Sequence, residues 1–255
     1  MLEFNDLTVE YMLKGKAHIA AQDIKFRLER GKALGIAGES GCGKTTIARA
    51  LLGILPHYAI VSGEIIYEGT DILSLPRRER DKLYGKEISM IFQDPGIALN
   101  PHRKIRHQLY DILNGTFKGR KCINEQIERN LAAVHLPEPR RVMEQYPSQL
   151  SGGMKQRVAI AAAISLNPKL LVADEPTSSL DSSIRRQIID EIISLKNIHG
   201  LSLLYISHDL AELSAVCNDI IIMKNGRVIE AGTKEAILNT PQEPYTKELI
   251  AAARR

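Results

Sequence analysis

Apolar residues recur along this chain in two rhythms, with short unbroken runs between them. Near the N-terminus Leu2, Phe4, Leu7, Val9 and Tyr11 are spaced for extended backbone. Further on, Ile24, Phe26 and Leu28 alternate with Lys25, Arg27 and Glu29, so that one face of the strand meets water. Ala33–Ala37, Ile88–Phe92, Leu170–Ala173 and Leu201–Ile206 are near-continuous apolar runs, the signature of strands covered on both faces. Helical spacing joins Ile47 to Leu51 and Ala48 to Leu52, and recurs over 105–113 and 124–134. It also forms the stripe Ile184, Ile188, Ile192, Leu195, which Gly200 ends. Ser151 is placed to cap a helix running to about Leu166. Residues 62–69 read as a strand and turn, 76–86 as a polar, basic helix. Asn225-Gly226 between two apolar runs predicts a hairpin. A helix and a polar tail are expected over the last 24 residues.

Strands alternating with helices predict an α/β fold built on parallel strands. Between 96 and 150 the strand signals vanish and Pro101, Gly115, Gly119, Pro137, Pro139 and Pro147 punctuate helical segments. This predicts a helical lobe inserted into the α/β core.

Composition narrows the function without naming it. Of 255 residues, 44% are apolar and 25% charged, ordinary for a water-soluble globular chain. Tryptophan is absent and aromatics make up 5%, which argues against platforms that stack bases or sugars. The net charge of +4 is spread over small groups: Arg77, Arg78, Arg80; Arg103, Lys104, Arg106; Arg140, Arg141; Arg254, Arg255. Solvated faces account for these, with a weak pull toward an anionic membrane surface or nucleic acid as the sharper alternative. Cys42, Cys122 and Cys217 are too far apart to suggest zinc ligands or a disulfide framework. The N-terminus has acids and no apolar segment, so no signal peptide is expected. No run approaches the ~18 residues that span a bilayer. A cytosolic chain, at most peripheral to a membrane, follows as the expectation.

The chemistry is densest at Gly38-Glu39-Ser40-Gly41-Cys42-Gly43-Lys44-Thr45, which fits G-x-x-x-x-G-K-[ST] at every fixed position. It lies between a buried strand and a helix start. A glycine-rich turn there points backbone N–H groups inward around phosphate oxygens, and the helix adds its positive end. Lys44 would reach the β- and γ-phosphates, and Thr45 would give its hydroxyl to Mg²⁺. Cys42 reads as a small filler of the loop, not as a nucleophile.

Further along, Leu170–Ala173 runs into Asp174 and Glu175. Buried acids at a strand end are poorly explained by folding alone. Asp174 would hold Mg²⁺, directly or through water, and Glu175 would act as general base on the attacking water. Gln93 and His208 follow other buried strands, where α/β sheets place their ligands. His208 is a candidate γ-phosphate ligand or simply a loop histidine. Ser151-Gly152-Gly153 at a helix start exposes N–H groups to an anion, or is merely a glycine-rich helix entry. Tyr11 could stack on an adenine ring or serve as a core tyrosine at a strand end.

In this order, phosphate loop, Gln93, Leu150-Ser151-Gly152-Gly153, Asp174-Glu175, Ser179-Leu180-Asp181 and His208 resemble the ATP-binding subunits of ABC transporters, over essentially the whole chain. The resemblance implies a P-loop NTPase core of RecA-like type with an N-terminal antiparallel β subdomain and an inserted α-helical subdomain. All of 1–255 would form one ATP-binding domain, with 1–95 and 160–235 as core, 96–159 as lobe and 236–255 as C-terminal helix and tail. It implies that Tyr11 stacks on adenine and that Gly38 through Thr46, Thr46 included, bind the phosphates of ATP and Mg²⁺. Gln93 would touch Mg²⁺ and the water. Ser151, Gly152 and Gly153 would face the γ-phosphate held by a second ATP-binding subunit, Asp181 would contact across that dimer, and His208 would sense the γ-phosphate.

Gln93-Asp94-Pro95-Gly96-Ile97-Ala98-Leu99-Asn100-Pro101, Pro241-Gln242-Glu243-Pro244-Tyr245-Thr246-Lys247-Glu248-Leu249 and Leu52-Gly53-Ile54-Leu55-Pro56 narrow the resemblance to the oligopeptide, dipeptide and nickel importer ATPases. That implies a peripheral location on the cytoplasmic face of the membrane. It also implies two transmembrane permease subunits, an extracytoplasmic solute-binding protein and a partner ATPase that is a different, homologous chain. No iron–sulfur cluster and no nucleic acid are expected. The surface around Gln93–Asn100 and the lobe would be the dock for the membrane subunits. The other class of function weighed is a soluble ABC ATPase acting on nucleic acid or ribosomes. The single cassette and modest charge argue against it.

Overall fold

A computed structural model describes residues 1–13 and 15–253, so the basic pair Arg254–Arg255 lies outside the described residues. The chain divides into two compact units, 1–84 with 201–255, and 85–200.

In the first unit, strands β1 (Leu2–Leu13), β2 (Lys16–Leu28), β4 (Ala59–Tyr67) and β5 (Thr70–Asp71) form an antiparallel sheet in the order β2-β1-β4-β5. The apolar spacing in β1 shifts phase between Phe4 and Leu7 because the ladder is irregular there on both sides, with Asp6 at φ 51°. That change of phase keeps Leu2, Phe4, Leu7 and Val9 all buried. Gly63 lies against the irregularity: a Cβ there would sit 2.4 Å from the Asp6 carbonyl oxygen. Phe4 and Phe26 stack across the pair with ring centroids 4.4 Å apart.

The same unit holds β3 (Ala33–Ala37) with β8 (Ser202–Ile206) and β9 (Asp219–Lys224) parallel to it on either side. The strand β10 (Arg227–Thr233) pairs antiparallel with β9. All residues of β3 and β8 are buried, as continuous apolar runs require. Helix α1 (Lys44–Leu51) buries Ile47, Ala48 and Leu51, each burial contributing up to roughly 1.5–3 kcal/mol for the larger side chains. Helix α2 (Arg77–Leu83) follows β5, and Tyr84 donates its hydroxyl to the Leu51 carbonyl over 3.3 Å. Helix α9 (Leu210–Val216) packs so closely on β3 that a Cβ at Gly35 would lie 2.9 Å from the Leu213 side chain. The Asn225-Gly226 hairpin forms with φ 49° and 77° at its two turn residues.

The expected single helix and polar tail at the C-terminus is instead two helices, α10 (Lys234–Asn239) and α11 (Pro244–Ala253). Pro244 starts α11, at the first helical position, where a missing N–H costs nothing. Tyr245, Thr246 and Ile250 anchor that helix by burial.

The second unit pairs β6 (Ile88–Ile91) in parallel with β7 (Leu170–Asp174). Between these strands run only helices: α3 (Pro95–Ala98), α4 (Ile105–Leu113), α5 (Arg120–Ala133), α6 (Pro139–Glu144) and α7 (Gly152–Ile164), with a 3₁₀ turn at Pro147–Gln149. Their core combines Ile105, Leu109 and Leu113 with Ile123, Ile127, Leu131, Val142 and Val158. A buried polar pair is satisfied inside it, Asn130 donating to Ser165 Oγ over 2.9 Å. Helix α8 (Ser182–His199) follows β7 and ends at Gly200, whose φ of 63° is the left-handed conformation expected of a C-terminal glycine. Among the described residues no helix is long and apolar enough to cross a membrane.

Candidate functional site

Each unit carries its own cluster of the residues singled out above. In the first, β3 delivers Gly38–Thr46 into a loop that opens α1. Three glycines shape it. Gly38 (φ 151°) leaves no room for a side chain, since a Cβ would lie 2.3 Å from the Met223 carbonyl oxygen. Gly43 (φ 105°) is equally closed, 2.3 Å from the Ala20 carbonyl, and Gly41 (φ 81°) turns in open space. The hairpin turn grips the loop from outside: Gly226 N–H donates to the Cys42 carbonyl over 3.1 Å.

Lys44 is only 4% exposed, yet the acceptors of its ammonium are neutral. Gly38 O lies at 2.7 Å, Glu39 O at 2.9 Å, and Cys42 Sγ more weakly at 3.9 Å. A buried cation held by carbonyls gains strongly from an anion brought beside it. Helix α1 adds to this, starting with no side-chain cap and no acid in its first turn. Loop, lysine and helix end together fit a phosphate chain. Burial pushes the Cys42 thiol upward despite the lysine beside it, so this sulfur stays a thiol and acts as filling.

Tyr11 is half-buried, its hydroxyl 3.4 Å from Thr46 Oγ1 and its ring 5.9 Å from that of Tyr58. It therefore borders the phosphate loop rather than filling a core. His208 is exposed, two residues beyond β8, and Ile206 is in register with Ile36 of β3. Phosphate loop and His208 thus leave the same strand ends. A buried network sets that turn. Glu212 accepts from Tyr205 at 3.2 Å and from Ser207 at 3.0 Å, Ser207 accepts the Asp209 N–H at 3.0 Å, and Asp209 caps α9. The histidine was visible as a strand-end residue. Its supporting network was not, because the partners come together only in the folded turn.

In the second unit Ile91 is in register with Ala173, so Gln93 and the acid pair also leave a common edge. Asp174 is 3% exposed at the end of β7. Glu175 is half-buried with φ 45°, a left-handed conformation that a non-glycine residue adopts at a cost of about 1–3 kcal/mol. Its carbonyl accepts Ser178 N–H at 3.2 Å and Ser178 Oγ–H at 3.1 Å, which holds the turn. Its carboxylate accepts Gln93 Nε2–H at 3.1 Å.

Ser151 caps α7 by accepting Met154 N–H over 3.3 Å, and Asp181 caps α8 by accepting Ile184 N–H over 3.0 Å. That N–H, with the Ser183 hydroxyl, holds the Asp181 carboxyl below its usual range. The two helix starts touch: a Cβ at Gly153 would lie 2.9 Å from Ile184 Cγ2, and one at Gly152 would lie 3.8 Å from Leu180. Packing therefore requires glycine at 153, whereas at 152 a Cβ would make only ordinary contact. Thr45 is half-buried at the start of α1. Its hydroxyl and the Asp174 carboxylate are oxygen donors of the kind Mg²⁺ takes.

Residues 21–178 match the ABC transporter family. The chain is 40% identical to the oligopeptide transport ATP-binding protein OppD of Salmonella typhimurium over 258 aligned residues, covering 100% of this chain and 76% of that protein. It is 36% identical to the metal-staphylopine import system ATP-binding protein CntD of Staphylococcus aureus, covering 91% and 86%. Among solved structures, the ATP-binding cassette MJ0796, dimeric and bound to ADP and Pi in a post-hydrolysis state, superposes with a TM-score of 0.81 at 26% identity over 92% of this chain and 99% of that one.

Proposed function

The chain belongs to the ABC transporter ATP-binding family, as an ATPase of the oligopeptide, dipeptide and nickel importer group, and from that premise we propose that it drives uptake of a short peptide or a metal chelate. Relatives named for oligopeptide, dipeptide and metal-staphylopine import support both cargo classes. A soluble ATPase acting on nucleic acid or ribosomes is not favoured beside these importer relatives. The motor binds and hydrolyses ATP while bound peripherally to the cytoplasmic face of the membrane. Two permease subunits, a second and different ATPase chain and an extracytoplasmic solute-binding protein complete the transporter.

The observation that carries the ATPase chemistry is the buried Lys44 ammonium resting on neutral carbonyls. It exchanges these for the β- and γ-phosphates when ATP enters, while Gly38–Thr46 surround the phosphates and Tyr11 takes the adenine. Thr45 and Asp174 would hold Mg²⁺, which would supply neutralising charge on the phosphates. Glu175 removes a proton from the attacking water. Gln93, already bonded to that carboxylate, orients the water and reports its presence. His208 meets the γ-phosphate. Ser151, Gly152 and Gly153 address the nucleotide of the partner subunit, and Asp181 contacts that subunit.

Because each chain lends its signature turn to the other's nucleotide, ATP favours the joined pair and hydrolysis favours separation, which moves the permeases. Reconstitution with both permeases and the partner ATPase tests this reading. Labelled dipeptide, oligopeptide or nickel chelate should enter vesicles only with ATP. ATP-independent entry, or an assembled complex that hydrolyses no ATP, refutes it.

A further inference from the structure

The C-terminal segment reaches the phosphate loop within the first unit. Glu39 N–H donates to the Tyr245 hydroxyl over 3.1 Å. The same peptide group presents its carbonyl, that of Gly38, to Lys44 Nζ at 2.7 Å. One peptide plane is therefore held on one side by the lysine that meets phosphate and on the other by a tyrosine from α11. Hydrogen bonds on the two ends of an amide polarise one another.

Tyr245 is itself held. Tyr245 is 6% exposed, and its ring lies beneath Lys224 Nζ, 4.3 Å from the centroid. Lys224 follows Met223, whose carbonyl closes the space over Gly38. The chain entering α11 is pinned to β10, with Gln242 and Glu243 N–H groups donating to the Glu230 carboxylate at 2.8 and 3.2 Å. Burial also pushes the phenol upward, so it remains a neutral hydroxyl under physiological conditions.

We infer that Tyr245 is a positioning residue for the nucleotide site: by accepting the Glu39 N–H it fixes the Gly38–Glu39 peptide on which the Lys44 ammonium waits, and so links docking of α11 to binding of the nucleotide. The inference rests on the ATP-binding reading above. By reciprocity, if seating of α11 strengthens nucleotide binding, nucleotide strengthens seating of α11 by the same factor.

Tyr245→Phe tests it, because the ring and its contact with Lys224 stay while the acceptor of Glu39 N–H is lost. The full chain is titrated with ATP and with the non-hydrolysable analogue AMP-PNP, and hydrogen exchange is followed over 244–253. Affinity should fall about 2- to 10-fold, the range one lost hydrogen bond gives. KM should rise with it while kcat changes less than about 2-fold and the nucleotide-free melting point stays put. In the wild type, AMP-PNP should slow exchange over 244–253, and in the variant this slowing should shrink. Unchanged affinity in Tyr245→Phe, or exchange over 244–253 indifferent to nucleotide in the wild type, overturns the inference. A wild-type chain that binds neither nucleotide instead defeats the ATP-binding reading, so the two failures are told apart.

Discussion

Gln93 Nε2 donates to Glu175 Oε2 over 3.1 Å, joining the second residue beyond β6 to the residue after β7. The carboxylate that would take the proton from water is thus already oriented by an amide. Its backbone sits at φ 45°, a left-handed turn held by the Ser178 hydrogen bonds to its carbonyl.

Glu175→Gln should leave nucleotide affinity close to wild type and cut turnover by about 10²–10⁴, the range for loss of a general base. Single-turnover phosphate release alongside equilibrium nucleotide binding checks both halves. Hydrolysis at the wild-type rate would remove Glu175 from the mechanism.

Lys44→Ala should act on binding itself. The ammonium is buried and held by Gly38 and Glu39 carbonyls, so its loss removes the one cation within the loop. ATP affinity should drop at least about tenfold, consistent with a lost charge-assisted contact to phosphate. Calorimetric titration measures it, and unchanged affinity would contradict the phosphate-loop assignment.

Gly153→Ala should disturb packing first. Its Cβ would lie 2.9 Å from Ile184 Cγ2, so the start of α7 must move off α8, at about 1–3 kcal/mol. Chemical denaturation should show that loss, and Ile184→Ala in the same chain should restore part of it. A Gly153→Ala protein of wild-type stability would show that the contact yields freely.

Glu191 supplies a pH test. Burial raises its carboxyl above the ordinary 4.5, while Arg157 and His135 pull the other way. His135 Nδ1 stands 3.3 Å from Oε1 and Arg157 Nε 3.7 Å from Oε2. A carboxyl that holds its proton more tightly when folded favours folding at low pH, so this contribution is lost as pH rises from about 4.5 through the folded value. Relative to Glu191→Gln, the wild type should lose stability over that rise. Urea titrations from acid to neutral pH measure the difference, and a flat difference would show that the ion-pair partners cancel the burial.

Much of this was legible beforehand. Helix α4 coincides with the predicted 105–113, and α8 carries the predicted stripe and ends at Gly200, because capping and periodicity are local. Phosphate loop, acid pair, Gln93 and His208 were found from motif order and from their place at strand ends. What escaped depends on distant partners. The β1 irregularity at Asp6 needs Gly63 opposite it, and the second C-terminal helix, α11, forms because Tyr245, Thr246 and Ile250 are buried against the rest of the unit. Glu191 with Arg157 and His135, and Tyr205 with Glu212 and Ser207, draw on separate elements, so no spacing along the chain announces them.

The contact between the starts of α7 and α8 has a mechanical meaning. With Gly153 against Ile184 and Gly152 near Leu180, the Ser151 and Asp181 caps ride on a single plate. A neighbouring chain that met one cap, as proposed above, would find the other held beside it by this packing. On the roles proposed above for Ser151 and Asp181, recognition of nucleotide and recognition of subunit would be geared to a common motion, not governed by separate levers.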